Sequence, residues 1–428
     1  MAQISERLTE LNSIAYFAFS NRDALAYLRI LGPAEFGNVV VITGVDRNGK
    51  LRHDAVDKGD ILILQRDICK DYLAFTKILR TARVIKKPIV FDLDDMLFLL
   101  PEEHPDRKSG YYTDALLPML QAVTEADLVT VSTEYLRAQL LPFNPNVKVI
   151  PNYLNDRLWD FQVVERNGNS GGCVTIGYMG SKSHQPDLEM IVPIVHQLIE
   201  RYPNRLRFHF FGISPPEAIK HLANVTWFSE IFTAYPDFAD YFQTQSADLF
   251  LAPLSDTPFN ACKSPIKFLE YGALGIPGVY SNVKPYSDIV HDGEDGLLAT
   301  SMDEWVTKVT RLIDYPDLRY RIAKTAQENI QKSWLLSKNF SNQMDIYRQM
   351  LGEDRATIPP SPMLEVFKGL SAQYYEELLR KKQTLNDSYR VNAELKKEMV
   401  GYLTSSSWKI MRPFRNLARR LRRDSNAS

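Results

Sequence analysis

The chain has 428 residues, 45% of them apolar and 24% charged, with 51 Lys and Arg against 52 Asp and Glu. Those proportions exclude a collagen, a disulfide-built miniprotein and a wholly disordered chain, and the near-zero net charge argues against a surface built throughout for nucleic acid. At about 150 residues per domain, the length allows two domains and a remainder, each domain large enough for a core of its own.

From the N-terminus, apolar runs bounded by turn residues read as buried strands at Ile14–Phe19, Val39–Thr43, Ile61–Leu64, Pro88–Phe91, Leu128–Val131 and Val147–Ile150. Helical spacing lies between most of them, as over Asp71–Arg83 and Thr113–Glu125. Continuous Val/Ile/Leu runs separated by helices predict a parallel sheet covered on both faces. Arg166–Gly172 has no apolar residue and reads as a linker. The alternation then restarts, with strands at Val174–Tyr178, Leu206–Phe211, Val225–Phe228, Leu249–Ala252 and Gly278–Tyr280. Helices are expected over Leu188–Arg201, Pro265–Leu274, Met302–Asp314 and Leu318–Lys332. The expected class is α/β, two doubly wound Rossmann-like domains facing a cleft, whose chemistry sits in the loops at the carboxyl ends of the strands.

A linker at Ile358–Pro362 leads into a polar helix over Ala372–Leu403, so a helical extension follows the two domains. Leu378, Leu385 and Met399 keep a seven-residue spacing that Asn392 interrupts, which predicts a solvent-facing helix or weak self-association through 372–403. The domain reading is 1–165, 166–351 with last helices able to return to the first domain, 352–403 as linker and polar helix, and 404–428 as a basic tail.

Cys69, Cys173 and Cys262 lie far apart with no CxxC pair, which argues against a disulfide framework or zinc site and fits a reducing cytosol. No secretory signal is visible, and no segment approaches the ~18 uninterrupted apolar residues of a membrane span.

Three stretches carry candidate chemistry. In the first, Ser264 and Pro265 read as N-cap and first residue of a helix whose mouth suits phosphate, with Lys263, Lys267 and Glu270 on one face. A carboxylate beside two lysines can accept from a ribose while the lysines neutralise a diphosphate; the alternative is an i,i+3 ion pair on a solvated helix. In the second, Gly180 and Ser181 at a strand end allow close backbone approach to a phosphate, and Lys182 and His184 supply donors. The alternative there is an ordinary βα turn. The third is Val90-Phe-Asp-Leu-Asp-Asp-Met-Leu-Phe98. Asp92, Asp94 and Asp95 leave a buried strand, so at least one should reach the cleft as a base or acceptor-orienting group, the best candidates being Asp94 and Asp95. The alternatives are turn capping and, less favoured, a divalent metal. Arg66 and Arg29 are read as surface or packing arginines before cleft residues, and His104 as a solvated loop histidine before an acceptor contact.

The run Lys263–Pro277 resembles the donor-binding segment of group 1 (family four) glycosyltransferases of the GT-B fold, with Ser281, Pro285–Val290 and Asp292–Leu297 continuing the likeness. Ala126–Thr133 and Val147–Asn152 look like the last strands of that family's first domain, and the resemblance spans Ile14 to Tyr347. It implies a nucleotide-diphosphate sugar as co-substrate with no cofactor and no metal, Glu270 on the ribose, and the Gly180 loop over the diphosphate. It also leans towards retention of anomeric configuration. The family's first Glu falls at Cys262, which leaves Asp256 and Asn260 as candidates for the sugar hydroxyls.

The segment Ser405–Arg423 carries seven basic residues and no acid, with Trp408, Phe414, Leu417 and Leu421 among them. A basic amphipathic stripe from Trp408 to Arg423 suits an anionic membrane surface; an RNA-binding tail and an unstructured end are the rivals. Similar tails occur on bacterial glycosyltransferases of surface polysaccharides. The combined expectation is a hexosyltransferase-like enzyme, peripheral on the cytoplasmic face, moving sugar to a glycan or lipid-linked acceptor without nucleic acid. A sugar-nucleotide epimerase or hydrolase on the same fold, or a non-catalytic binding module, are the other readings.

Overall fold

The computed structural model describes residues 10–18, 20, 22–46, 49–161, 172–352 and 362–404. Six strands build a first sheet: β1 Ser13–Phe17, β2 Val40–Thr43, β3 Ile61–Gln65, β4 Ile89–Leu93, β5 Leu128–Val131 and β6 Val147–Val149. Their order is β2-β1-β3-β4-β5-β6 and every pairing is parallel. Strands β3, β4 and β5 are buried at every position, because helices cover both faces and no polar side is needed.

A second parallel sheet holds β7 Val174–Gly180, β8 Leu206–Gly212, β9 Val225–Phe228, β10 Leu249–Ala252, β11 Gly278–Ser281 and β12 Leu297–Ala299. The order β9-β8-β7-β10-β11-β12 reverses direction between β7 and β10. In the first sheet the reversal falls between β1 and β3. A crevice opens where strand order reverses, because the loops after the two central strands leave towards opposite faces. Each domain therefore offers one such crevice at the carboxyl ends of its strands.

The helix Leu336–Arg348 belongs to neither run of alternation. It packs Met344 and Tyr347 into the core of the first sheet, beside Ile14, Val90 and Leu128. The chain crosses between the sheets at Leu154, whose N–H donates to Trp334 C=O and whose carbonyl accepts from Leu336 N–H.

Several sequence-read elements shift. The Ala372 helix starts ten residues earlier, running Pro362–Thr404 with Leu364 and Phe367 buried in its first turns. Residues 369–404 form a separate unit in which Leu385 and Met399 are exposed and Glu376–Arg380 and Glu377–Lys381 make i,i+4 ion pairs. The Arg166–Gly172 linker, save Gly172, the Ile358–Pro362 linker, save Pro362, and the Trp408–Arg423 stripe lie outside the described residues. Among the described residues no helix is long and apolar enough to cross a membrane.

Candidate functional site

The loops after β7 and β10 meet at the crevice of the second sheet. After β10, Thr257 caps a short helix Pro258–Ala261 by accepting from Asn260 N–H, and the chain then turns through Cys262 and Lys263 into the helix Ile266–Ala273. This corrects the cap assigned from sequence. The capping residue is Pro265, and the Ser264 hydroxyl is buried with no partner among the described residues. The Thr-Pro start signal that does cap, at Thr257, lies upstream at the start of the short helix. Lys263 consequently stands before the helix, not on its face.

Lys267, in the first helical turn, is only 7% exposed. Its ammonium lies 3.1 Å from His184 Nε2, with the Tyr178 ring 5.8 Å away. Burial, and then the nearby charge of Lys263, bring its pKa down to about 8. Lys263 is half-buried over the Phe259 ring, and burial lowers its pKa against the pull of Asp95, Asp187 and Asp94. An anion entering beside two neighbouring cations withdrawn from water would restore part of the interaction that burial removed from them, the electrostatic condition for a binding site. A solvated ion pair between Lys267 and Glu270 is ruled out by burial: Glu270 is 2% exposed and turns to Tyr235, whose hydroxyl donates to its Oε1 at 2.9 Å. Its Oε2 is buried without a partner among the described residues, and burial lifts the carboxyl to about 7.

The Gly180 loop closes the other side. Gly180 ends β7, and a side chain there would collide with the Tyr178 hydroxyl at 2.6 Å. Ser181 and Lys182 are exposed on the turn that follows. His184 does not supply a free donor as expected from sequence, because both ring nitrogens are engaged: Nδ1 lies 3.1 Å from Asp187 Oδ2 and Nε2 faces Lys267. Asp187 also accepts at Oδ1 from Ser255 N–H, Ser255 Oγ–H and Asn260 Nδ2, at 2.9, 2.9 and 3.3 Å. Asn260 is thus tied into the loop, while Asp256 is exposed. Cys262 is fully buried and its thiol is pushed up to about 12 by burial, so it stays neutral and cannot replace a carboxylate.

In the first domain the three aspartates part company. Asp92 turns into the core, accepting from Arg29, Gln65 and Thr130, with the Arg29 ion pair at 2.7 Å. Arg29 is a packing arginine, also donating to Ile150 C=O. Asp94 and Asp95 are half-buried at the end of β4. The Asp94 carboxyl is raised to about 7, first by burial and then by Asp95, and its Oδ1 lies 3.9 Å from Arg66. Among the described residues no three His, Cys, Asp or Glu side chains are grouped so as to hold a metal ion.

Arg66 is more than a surface or packing residue. It directly follows β3 with φ at +50°, a backbone state that non-glycine residues hold only where surroundings enforce it. It bonds Tyr112 and lines an open pocket of about 100 Å³ with Ala18, Ser20, Asp23, Gln65 and Tyr111, located where the first sheet reverses. His104 is not a solvated loop histidine: it is 5% exposed, caps the helix Pro105–Lys108, and sets its ring edge on Phe259 of the second domain, 5.3 Å away. Thr133 Oγ1–H donates to Cys262 C=O at 2.9 Å, and Tyr27 packs on Tyr235. These contacts bring Asp94 and Asp95 opposite Lys263 across the gap between the sheets. Sequence reading passed over Asp187, Tyr235 and Thr133. Only Asp187 left a signal, as an acid following Pro186 in the first turn of a helix start.

Comparison with known proteins accords with this geometry. The family model described as glycosyl transferases group 1 matches residues 173–315. No curated protein sequence matches the chain. Among solved structures, sucrose-phosphate synthase from Thermosynechococcus elongatus superposes with a TM-score of 0.59 at 15% identity, covering 79% of this chain and 99% of that one. The Anabaena protein HepE, solved in complex with UDP-glucose, gives 0.55 at 15%, covering 79% and 99%. A glycosyltransferase from Rickettsia africae gives 0.53 at 12%, covering 81% and 100%. At these identities the likeness is one of fold, and the fold is GT-B: two Rossmann-like domains across a cleft.

Proposed function

We propose that this GT-B chain, whose second domain carries the group 1 glycosyl transferase match, moves a hexose from a nucleotide-diphosphate sugar to a glycan or lipid-linked acceptor. The observation that carries the reading is the convergence of Lys263 and Lys267, both drawn out of water, on the crevice beside Glu270. The diphosphate would lie between these ammonium groups and the backbone of Gly180–Lys182, with ribose hydroxyls on Glu270 Oε2, which has no partner among the described residues. Negative charge grows on the diphosphate as the sugar leaves, and fixed cations in a water-poor site stabilise that charge more than the ground state, without a metal. That HepE was solved with UDP-glucose supports a nucleotide sugar as the donor class.

The acceptor would enter the pocket at the first sheet's reversal, where Tyr111 is exposed and Arg66 stands beside Asp94. Asp94, raised to about 7, changes protonation near neutrality and suits a group that accepts from the attacking hydroxyl. Closure of the cleft would keep water from competing as acceptor. The neutral Cys262 leaves the sugar hydroxyls to the Ser255–Asn260 loop.

A thermal-shift panel of UDP-, GDP- and ADP-sugars tests the donor, since a ligand that binds only the folded state raises the melting temperature. Lys263→Ala and Lys267→Ala should each abolish the shift or cut turnover at least tenfold, each removing a charged contact worth about 1.5–3 kcal/mol. Wild-type behaviour in both would defeat the donor assignment. Product analysis with the nucleotide sugar alone separates transfer from epimerisation or hydrolysis.

A further inference from the structure

The proposed donor site contains a buried chain of polar contacts that the transfer reaction itself does not use: Asp187, His184 and Lys267 in series. Asp187 is 3% exposed and receives hydrogen bonds from the Ser255 backbone, the Ser255 hydroxyl and the Asn260 amide on one oxygen. A carboxylate so surrounded by donors is ionised, and its carboxyl sits at about 2, with His184 and Lys263 helping to hold it there against burial. An ionised carboxylate only accepts, so the hydrogen between Asp187 Oδ2 and His184 Nδ1, 3.1 Å apart, is on the imidazole. The second ring nitrogen then has to be a bare lone pair. An imidazolium there would face the ammonium of Lys267 at 3.1 Å, with Lys263 also near, and burial and those two cations hold the ring neutral. Lys267 therefore donates one N–H to His184 Nε2 and keeps two for the crevice.

Resting on the donor reading above, we propose that Asp187 is a positioning residue: by fixing His184 as the Nδ1–H tautomer, it makes the ring an acceptor that aims the Lys267 ammonium at the donor diphosphate. The same carboxylate ties down Ser255 and Asn260, so one buried charge orients both loops that flank the reversal of strand order. A flexible lysine stem loses much rotamer freedom when it is ordered, and a partner that orders it before the ligand arrives removes that cost from binding.

Asp187→Asn is the informative change. The amide oxygen can still take the Ser255 and Asn260 hydrogen bonds, which turns the NH2 group towards His184 Nδ1. The ring must then accept at Nδ1 and carry its hydrogen on Nε2, where it opposes the Lys267 donors. His184→Gln can donate to Asp187 and accept from Lys267, whereas His184→Leu can do neither.

The full-length chain, labelled with 15N at histidine, would be titrated with inorganic pyrophosphate by calorimetry and its imidazole tautomer read by NMR. The wild type should show His184 as the Nδ1–H form. Asp187→Asn should show the Nε2–H form and lose at least tenfold in pyrophosphate affinity. His184→Leu should lose a similar factor, and His184→Gln should recover most of it. A variant that destabilises the fold without this tautomer change, while its folded fraction binds as well as wild type, overturns the positioning role. So does a wild type in the Nε2–H form. If the wild type binds neither pyrophosphate nor any nucleotide sugar, the donor reading fails and this inference falls with it. Binding by the wild type with unchanged affinity in Asp187→Asn and His184→Leu sinks the inference alone.

Discussion

Glu270 shows how much a single side chain owes to its surroundings. Its carboxyl moves from 4.5 to about 7, chiefly through burial, with Tyr235 and Lys267 pulling the other way. A folded-state pKa above the unfolded value means the folded protein keeps its proton longer. Stability therefore falls as pH climbs from about 4.5 to 7 and levels off above that. Glu270→Gln removes this dependence. Relative to wild type, the variant should gain on the order of 3 kcal/mol between pH 4.5 and 8, read from urea unfolding at several pH values. Asp94 and His184 titrate in overlapping windows but are present in both proteins, so the difference isolates Glu270. Arg29 answers a different question. It and Asp92 are buried together, so Arg29→Ala leaves an unpaired carboxylate in the core and should cost about 3–5 kcal/mol in urea unfolding. A loss of activity with no loss of stability would instead place Arg29 in the cleft. The sequence pointed to Lys263, Lys267 and Glu270 because motif spacing is local. It could not show that Asp92 is engaged by Arg29 in the core while Asp94 lies beside Arg66, because residues two apart share a face in a strand and the two are separated only by the end of β4 at Leu93.

Among elements, legibility followed burial. Val174–Tyr178 and Leu249–Ala252 stand out in sequence because central parallel strands are apolar on both sides. The strand Leu297–Ala299 did not, being three residues long at the edge of its sheet. The helix Tyr235–Gln243, which delivers Tyr235 to Glu270, was hidden in a mixed aromatic and acidic run. The helix Leu336–Arg348 was missed although Leu336, Phe340, Met344 and Tyr347 lie on one stripe, because Ser337, Asn339, Ser341 and Asn342 dilute the pattern. That stripe completes the core of the first sheet, and Gln343 reaches back to the Arg29 carbonyl. A chain ending at Leu335 should therefore expose Ile14, Val90 and Leu128, bind a hydrophobic dye and lose cooperative melting. A chain ending at Lys368 should melt cooperatively. Equal melting of the two would show that the first domain does not need the returning helix.

Across the whole chain, charge is shared unevenly. Lys409, Arg412, Arg415, Arg419, Arg420, Arg422 and Arg423 crowd the last residues, which leaves everything before them net acidic. An acidic body is on average repelled by an anionic bilayer, and this segment carries the densest positive charge to oppose that repulsion. Basic residues near a charged membrane contribute about 1 kcal/mol each, and seven of them exceed what one apolar anchor supplies reversibly. The full chain should cosediment with vesicles containing phosphatidylserine, and not with purely zwitterionic ones. Binding should weaken steeply as salt shortens the screening length from about 10 Å at 0.1 M. A chain ending at Thr404 should stay in the supernatant at every salt concentration. Replacing the arginines by glutamine while keeping Trp408, Phe414, Leu417 and Leu421 separates the two forces, since whatever binding survives high salt comes from the apolar stripe. Cosedimentation of the shortened chain at the level of the full one would move the membrane contact onto the acidic body and end the case for the tail.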